Sequence, residues 1–460
     1  MMTNAGAGFS RFKEISLSRW REDVTRDAWG MYFYIQNLNS GDVWSATHQP
    51  CLNSGEDYKV TYAPDRVEFI RKDGNITTRT EVVVSPEDQA EMRRISLTNH
   101  SKYDRTVEVT SYFEVVLARL NEDLAHPAFG NLFIETEFEH EALLASRRPR
   151  SENQARLWLM HTVATEGEKV GSLQYETDRA RFIGRGRSLT KPQALDANHP
   201  LSNTVGAVLD PMMSLRQRVR IGPGQTVKVS FSVGYAENRE EIIRIAEKYR
   251  DPLSVNRAFE LAWTHSKMEL RHLNLTAAQA NEGLSLAGHL LYLSPCRRDV
   301  ADSIENNRKG QSALWPYAIS GDLPIVLVRV KDAENLDLVR RLLTIHEYWR
   351  LKGLYADLVI LNEDESGYVQ AFQDNLRDLI SMGHARDLLN QAGGVFLLQK
   401  DHVQLEDVDL LCTVARVIFN GEGGSCSIQV RKKKKLMFGD VNQRERDTGE
   451  LAQEQPASNR

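Results

Sequence analysis

Cysteine is scarce: the chain holds four in 460 residues, Cys51, Cys296, Cys412 and Cys426. Their spacings form no CxxC pair, and no HExxH or His-rich cluster accompanies them. Neither a disulfide framework nor a metal site is therefore expected. Long hydrophobic runs are also missing. The longest, 323–328, falls far short of the ~20 residues that cross a bilayer. The opening MMTNAGAGFSRFKE lacks an apolar signal core, which predicts a cytoplasmic location. Membership in a larger, membrane-bound chain would move it to the cytoplasmic face of the membrane. Basic excess is absent too, since the net charge is -5, and phosphate backbones require a dominant cationic face. No nucleic-acid partner is expected. The chain contains no GxSxG elbow and no Walker loop. The GRGR at 184–187 lacks the Lys-Ser/Thr ending of a phosphate loop and reads as a strand-connecting turn.

What is present describes a globular protein, with 41% hydrophobic and 26% charged residues. The length calls for two or three domains. Residues 1–236 read as β structure: 32–36 is aromatic and β-branched, and 65–84 reads as a hairpin turning at Asp73-Gly74. In 106–116, Val107, Val109, Ser111 and Phe113 alternate with Glu108, Thr110 and Tyr112. RQRVRI and TVKVSFSVGYA flank a Gly222-Pro223-Gly224 turn. Many strands without intervening helices suggest an antiparallel sandwich. The pattern then becomes helical over 237–292, with Asn238 and Thr276 as N-caps. Val255, Phe259, Ala262, Trp263 and Leu270 share one face of the middle helix. Beyond 293 lie three apolar stripes at helical spacing, around Leu342, Phe372 and Leu411, and GGVFLL as a short strand.

Within that last region, 306–322 (NNRKGQSALWPYAISGD) packs flat aromatics, amides, bases and a carboxylate into a loop before an apolar run. Hexose rings offer apolar faces to Trp or Tyr and a rim of hydroxyls that donate and accept hydrogen bonds. Such a loop suits sugar, although a structural loop with satisfied polar groups has the same composition. The end differs in kind. Arg431 and Lys432 to Lys435 precede a polar, aperiodic tail, read over 431–460 as disordered or unrelated sequence. Its charges lack the interleaved aromatics of a nucleic-acid surface.

These segments together resemble the C-terminal, phosphorylase-like module of the cyclic β-1,2-glucan synthases, in glycoside hydrolase family 94. The resemblance rests on GFSRFKEISLSRWREDVTRDAWG, SGDVWSATHQP, DLAHPAFGNLFIETEF, QYETDRARFIGRGR, RKGQSALWPYAISGDLPIVLVRV and HEYWRLKGLYADLVILNE, in that order, across about 8–426. It implies a multidomain fold, β then α: an N-terminal antiparallel β-sandwich of carbohydrate-binding type (1–236), a helical linker (237–292) and an incomplete (α/α) six-hairpin barrel (293–430). It also implies inverting phosphorolysis of β-glucosidic bonds, or its reverse. No cofactor is implied, and inorganic phosphate is the co-substrate of the complete family enzyme. In such chemistry a carboxylic acid protonates the leaving oxygen and phosphate acts as nucleophile.

The family's acid lies in a Trp-Asn-Asp-Gly type segment, which this sequence lacks, so no residue is assigned a catalytic role. By motif, Asp322 is the candidate for holding glucose hydroxyls, with Arg308, Gln311, Trp315 and Tyr317 on the same loop. Asp322 could equally cap a helix begun at Leu323-Pro324. Glu363 could pair with Asp322 across the barrel mouth, or belong to a solvated loop with Asp364 and Glu365. His48-Gln49-Pro50 could close over the site from the sandwich. A module acting on β-1,2-glucan within a synthase, a non-catalytic glucan-binding module, and an inactive fragment of a frameshifted gene all fit. In the last case the residues after about Val430 are out of frame. The expected partners are β-1,2-glucan or a glucose oligosaccharide, and the remainder of a synthase chain.

Overall fold

A computed structural model describes residues 1–423 and Gln429, apart from 24, 152–153, 198, 293–299, 366–368 and 384–385. The tail at 431–460, Cys296 and Cys426 lie outside the described residues. The chain divides into two compact units, Met1–Glu269 and Leu270–Arg460.

The first unit is built on two antiparallel sheets. One comprises seven strands: β1 (Arg11–Phe12), β2 (Ile15–Ser18), β3 (Tyr32–Asn37), β4 (Val43–Ser45), β9 (Arg105–Arg119), β13 (Glu168–Asp178) and β15 (Pro211–Ile221). The other has nine: β5 (Asp57–Tyr62), β6 (Val67–Asp73), β7 (Ile76–Val84), β8 (Ala90–Asn99), β10 (Ile134–Glu139), β11 (Ala142–Arg147), β12 (Leu157–Glu166), β14 (Gly206–Ala207) and β16 (Thr226–Ala236). One apolar core joins them, with Val107, Val109, Phe113 and Leu215 from the first sheet meeting Ile95, Leu159, Val229 and Phe231 from the second. This is a sandwich, as alternation in the sequence leads one to expect.

The expected hairpin turns at Gly74-Asn75, where Asp73 pairs with Ile76 and Gly74 takes φ +55°. The Gly222-Pro223-Gly224 turn does more than reverse the chain, because β15 and β16 lie in different sheets. On β9 the residues opposite the core are buried as well. Tyr112 packs with Phe182 of α3 (Arg179–Ile183), Leu195 and Leu201 beneath a loop layer. Short helices α1 (Leu120–Ala125) and α2 (Pro127–Asn131) follow β9.

Two further helices cover the outer face of the nine-stranded sheet. In α4 (Arg239–Tyr249), Asn238 caps the helix by accepting the Glu241 N–H at 2.8 Å, and Ile242, Ile245, Ala246 and Tyr249 are buried. In α5 (Pro252–His272), Val255, Phe259 and Ala262 join the same cluster. Trp263 does not: it is 50% exposed, with the Lys267 ammonium over its ring at 3.5 Å.

The second unit departs from expectation. After α6 (Ala277–Leu291), closed by a Thr276–Gln279 capping box, and α7 (Ala301–Asn306), the chain forms a four-stranded sheet. Its strands are β17 (Ile325–Val330), β18 (Asp357–Asn362), β19 (Val395–Gln399) and β20 (Val417–Asn420). All pairs are parallel, in the order β19-β18-β17-β20.

The helices α8 (Leu336–Leu351), α9 (Val369–Met382) and α10 (Leu405–Val414) are the crossovers between consecutive strands. Residues of α6, α8 and α9 pack on one face of the sheet, and those of α10 and the 311–319 segment on the other. The expected (α/α) hairpins are therefore replaced, among the described residues of 293–430, by a doubly covered parallel sheet. The physical reason lies in IVLVRV, LVIL and VIF. Runs of this length are too short for helices, and strands buried on both faces carry no alternation to announce them. The helical stripes were real, but they belong to βαβ crossovers.

Candidate functional site

The loop 307–322 runs into the amino end of β17 and is fixed from below. Its 3-10 turn, Gln311–Tyr317, buries Leu314, and Ile319 follows it into the core against Val359 and Phe396. Gln311 folds the loop back: its Nε2 donates to the Ser320 carbonyl at 2.7 Å and to Asp322 Oδ1 at 3.1 Å. Gly321 (φ +77°) lies between, where a Cβ would come within 2.9 Å of Gln311 Cγ. The backbone can make that approach only because no side chain stands there.

The candidate residues divide. Gln311 and Asp322 are joined and exposed, and Trp315 stands 62% exposed on the turn that Gln311 begins. Tyr317 turns instead toward α10, donating its hydroxyl to Asp407 Oδ2 at 2.8 Å. Lys309 reaches the other oxygen of that carboxylate at 2.7 Å. This raises the lysine's pKa, while burial and Asp407 together raise that of Tyr317. Arg308 donates to the carbonyls of Glu305 and Asn307 in its own segment.

Two expectations fail on topology. Leu323-Pro324 leads into a strand, so Asp322 caps no helix there. Glu363 follows the carboxyl end of β18, whereas Asp322 precedes the amino end of β17. With the strands in register, about 20 Å separates them. They cannot act as an acid/base couple. Nor is Glu363 in a solvated loop: it is 6% exposed and takes Arg329 Nη2 at 2.8 Å.

Sequence reasoning missed Asp357. It is fully buried, with Oδ1 accepting the Gly393 N–H at 2.7 Å and Oδ2 without a hydrogen-bond partner among the described residues. Burial raises its pKa, and the Asp322 carboxylate pushes the same way. The available signal was a carboxylate at the head of the apolar run DLVIL.

The first unit holds a cavity of about 1010 Å³ between the segments around Thr25, Gln49 and Gly184. His48, Gln49 and Pro50 line it, as does the GRGR segment. That segment ends α3 rather than joining two strands: Gly184 (φ +83°) returns its N–H to the Ala180 carbonyl.

Residues 1–252 match the family model described as glycosyl hydrolase 94, supersandwich domain. The chain belongs to this family. Over 439 residues the family member is 35% identical to the cyclic beta-(1,2)-glucan synthase NdvB of Rhizobium meliloti (strain 1021), which covers 95% of the chain and 16% of the synthase. It is 25% identical over 265 residues to the N,N'-diacetylchitobiose phosphorylase of Vibrio furnissii, covering 56% of the chain and 31% of that enzyme. The family 94 chain thus spans less than a third of the length of these curated relatives. A bacterial glucoamylase complexed with acarbose superposes with a TM-score of 0.35 at 7% identity, over 61% of this chain and 36% of its own. That likeness is too slight to carry an argument.

Proposed function

We propose that this family 94 chain is a β-glucan-binding module of a glucan synthase or phosphorylase, which holds β-1,2-linked glucose without cleaving it by itself. The supporting observation is the Gln311–Asp322 pair and the exposed Trp315 on one turn, which the buried Leu314 and Ile319 anchor. An indole face can stack on a pyranose while a fixed amide and carboxylate read its hydroxyls, with little ordering required on binding. The synthase relative, named for a β-(1,2)-glucan, supplies the substrate class. In the complete enzyme inorganic phosphate is the co-substrate and further chain supplies the proton donor, since the sequence contains no Trp-Asn-Asp-Gly type segment.

Calorimetry with a β-1,2-linked glucose oligosaccharide, paired with an assay for glucose 1-phosphate release in phosphate buffer, tests the reading. Saturable binding without release is expected. Trp315→Ala should weaken binding about tenfold, the effect of ~1.4 kcal/mol, with the melting temperature unchanged. Release of glucose 1-phosphate would overturn the non-catalytic reading, and failure of the unmodified chain to bind would overturn the whole.

A further inference from the structure

The surface beside Asp322 continues onto a second segment of the chain. Asp357 donates its N–H to the Pro324 carbonyl at 2.9 Å, so the stretches leading into β17 and β18 run side by side. Extending the Ile325–Asp357 register back by two residues sets Leu323 opposite Tyr355. Adjacent strands lie about 4.8 Å apart, which places Tyr355 one strand away from the stretch that carries Asp322. The packing agrees: a Cβ on Gly393 would lie 3.5 Å from both Leu323 Cδ1 and Tyr355 Cβ. Tyr355 is nonetheless 49% exposed.

The ring is held in place. The Arg350 guanidinium, in the last turn of α8, lies over it at 5.5 Å from the centroid. Arg350 is itself fixed, donating from Nη1 to the Gly393 carbonyl at 2.5 Å. The N–H of the same glycine donates to Asp357 Oδ1 at 2.7 Å. Gly393 thus ties the end of α8 to the head of β18, in a backbone conformation (φ +70°) that favours glycine. The buried Asp357 fixes the turn against which Tyr355 packs.

An aromatic ring supplies a flat apolar surface with a polar tip, which suits a pyranose face and its rim of hydroxyls. The 311–322 loop offers one such surface, Trp315, with Gln311 and Asp322 for the hydroxyls. Tyr355 is a second, on the neighbouring stretch and already ordered, so that little freedom is lost on binding. We propose that Tyr355, backed by Arg350, forms a second sugar subsite beside Asp322, which takes the next glucose unit of a β-1,2-linked chain. The subsite rests on the glucan reading above and makes the surface selective for an oligosaccharide over glucose.

Isothermal titration of the full chain with glucose and with a β-1,2-linked glucose disaccharide tests the subsite. The parent should bind the disaccharide about tenfold more tightly than glucose, the gain from one further stacked ring. Tyr355→Ala should remove most of that gap, weakening the disaccharide about tenfold and leaving glucose within about twofold. Tyr355→Phe, which keeps the ring, should preserve the gap, and Trp315→Ala should weaken both sugars. Equal affinity of the parent for the two sugars would overturn the second subsite and leave the glucan reading standing. So would a disaccharide affinity indifferent to Tyr355→Ala, or equal losses for both sugars, in a variant whose circular dichroism matches the parent. A parent that binds neither sugar would overturn the glucan reading and the subsite with it.

Discussion

The two units differ in how deeply they bury the cation of an ion pair. In the sandwich, guanidiniums are taken inside together with their carboxylates. Arg19, 6% exposed, bonds Glu114 at 2.6 Å, Asp123 at 3.1 Å and the Asn131 side chain at 2.8 Å. Arg216 meets Glu108 at 3.0 Å with both nearly inaccessible. In the parallel-sheet unit the buried carboxylates Glu363 and Asp407 pair with Arg329 and Lys309, which are themselves partly exposed, and the fully buried Asp357 has one oxygen without a hydrogen-bond partner among the described residues. Alternating strands leave alternate positions for whole ion pairs beneath a covering layer, whereas in the doubly covered sheet the Arg329–Glu363 pair lies at the carboxyl ends of β17 and β18. A buried pair tolerates its own desolvation only while both members remain.

The comparison can be broken most severely at Arg19. Arg19→Ala would leave Asp123 without its cation and Glu114 with Arg179 alone, and should cost about 4 kcal/mol. Differential scanning calorimetry should register the loss in the first unit's transition, with the second unit's transition unmoved. Equal shifts in both would refute the division of stability between them.

Acid should sharpen the contrast next. Burial lowers His161 of the first unit to about 3 and His346 of the second to about 4. Each ring stays neutral when folded, with His346 Nε2 against the Ala356 carbonyl at 2.8 Å. Between pH 6.5 and those values only the unfolded chain takes up the proton, so stability falls as pH falls through the window. For His346 the loss amounts to roughly 3 kcal/mol by pH 4. Thermal melts over this range should slope less steeply in His346→Gln, in the second unit's transition alone. An unchanged slope would remove the residue from the account.

The smallest effect concerns Asp357. Its raised pKa means that the folded chain holds the proton more tightly. The associated stability is full below the unfolded value and is lost as pH rises through the folded one. Asp357→Asn should therefore stabilise the second unit by about 1 kcal/mol at neutral pH and have little effect at pH 3. Urea titrations at the two pH values check this, and destabilisation at neutral pH would mean that the carboxylate has a partner.

The same contrast explains what the sequence disclosed. The sandwich was legible because β9 alternates and Asp73-Gly74 punctuates a hairpin, both local signals. The stripes of α8 and α10 were legible for the same reason, and the strands between them were not, for want of any period. At the candidate loop, Gln311 and Asp322 lie close enough in sequence for their pairing to follow from a turn. Tyr317 and Asp407 meet across β17 to β19 and their crossovers, which no local pattern encodes. Of the first unit's cavity the sequence shows only GRGR, whose spacing matches no nucleotide motif. What it lacked in sequence was its other walls, at Thr25 and Gln49.

The strand order of the second sheet carries a consequence for synthesis. β17 is made first, yet it lies inside the sheet, flanked by β18 on one side and β20 on the other. One edge is covered early; the other waits for residues 417–420 to leave the ribosome. Throughout that interval an apolar ribbon with free amides and carbonyls is open to any passing strand. Until β20 arrives, a nascent chain of this protein carries an open edge on which a stranger can pair.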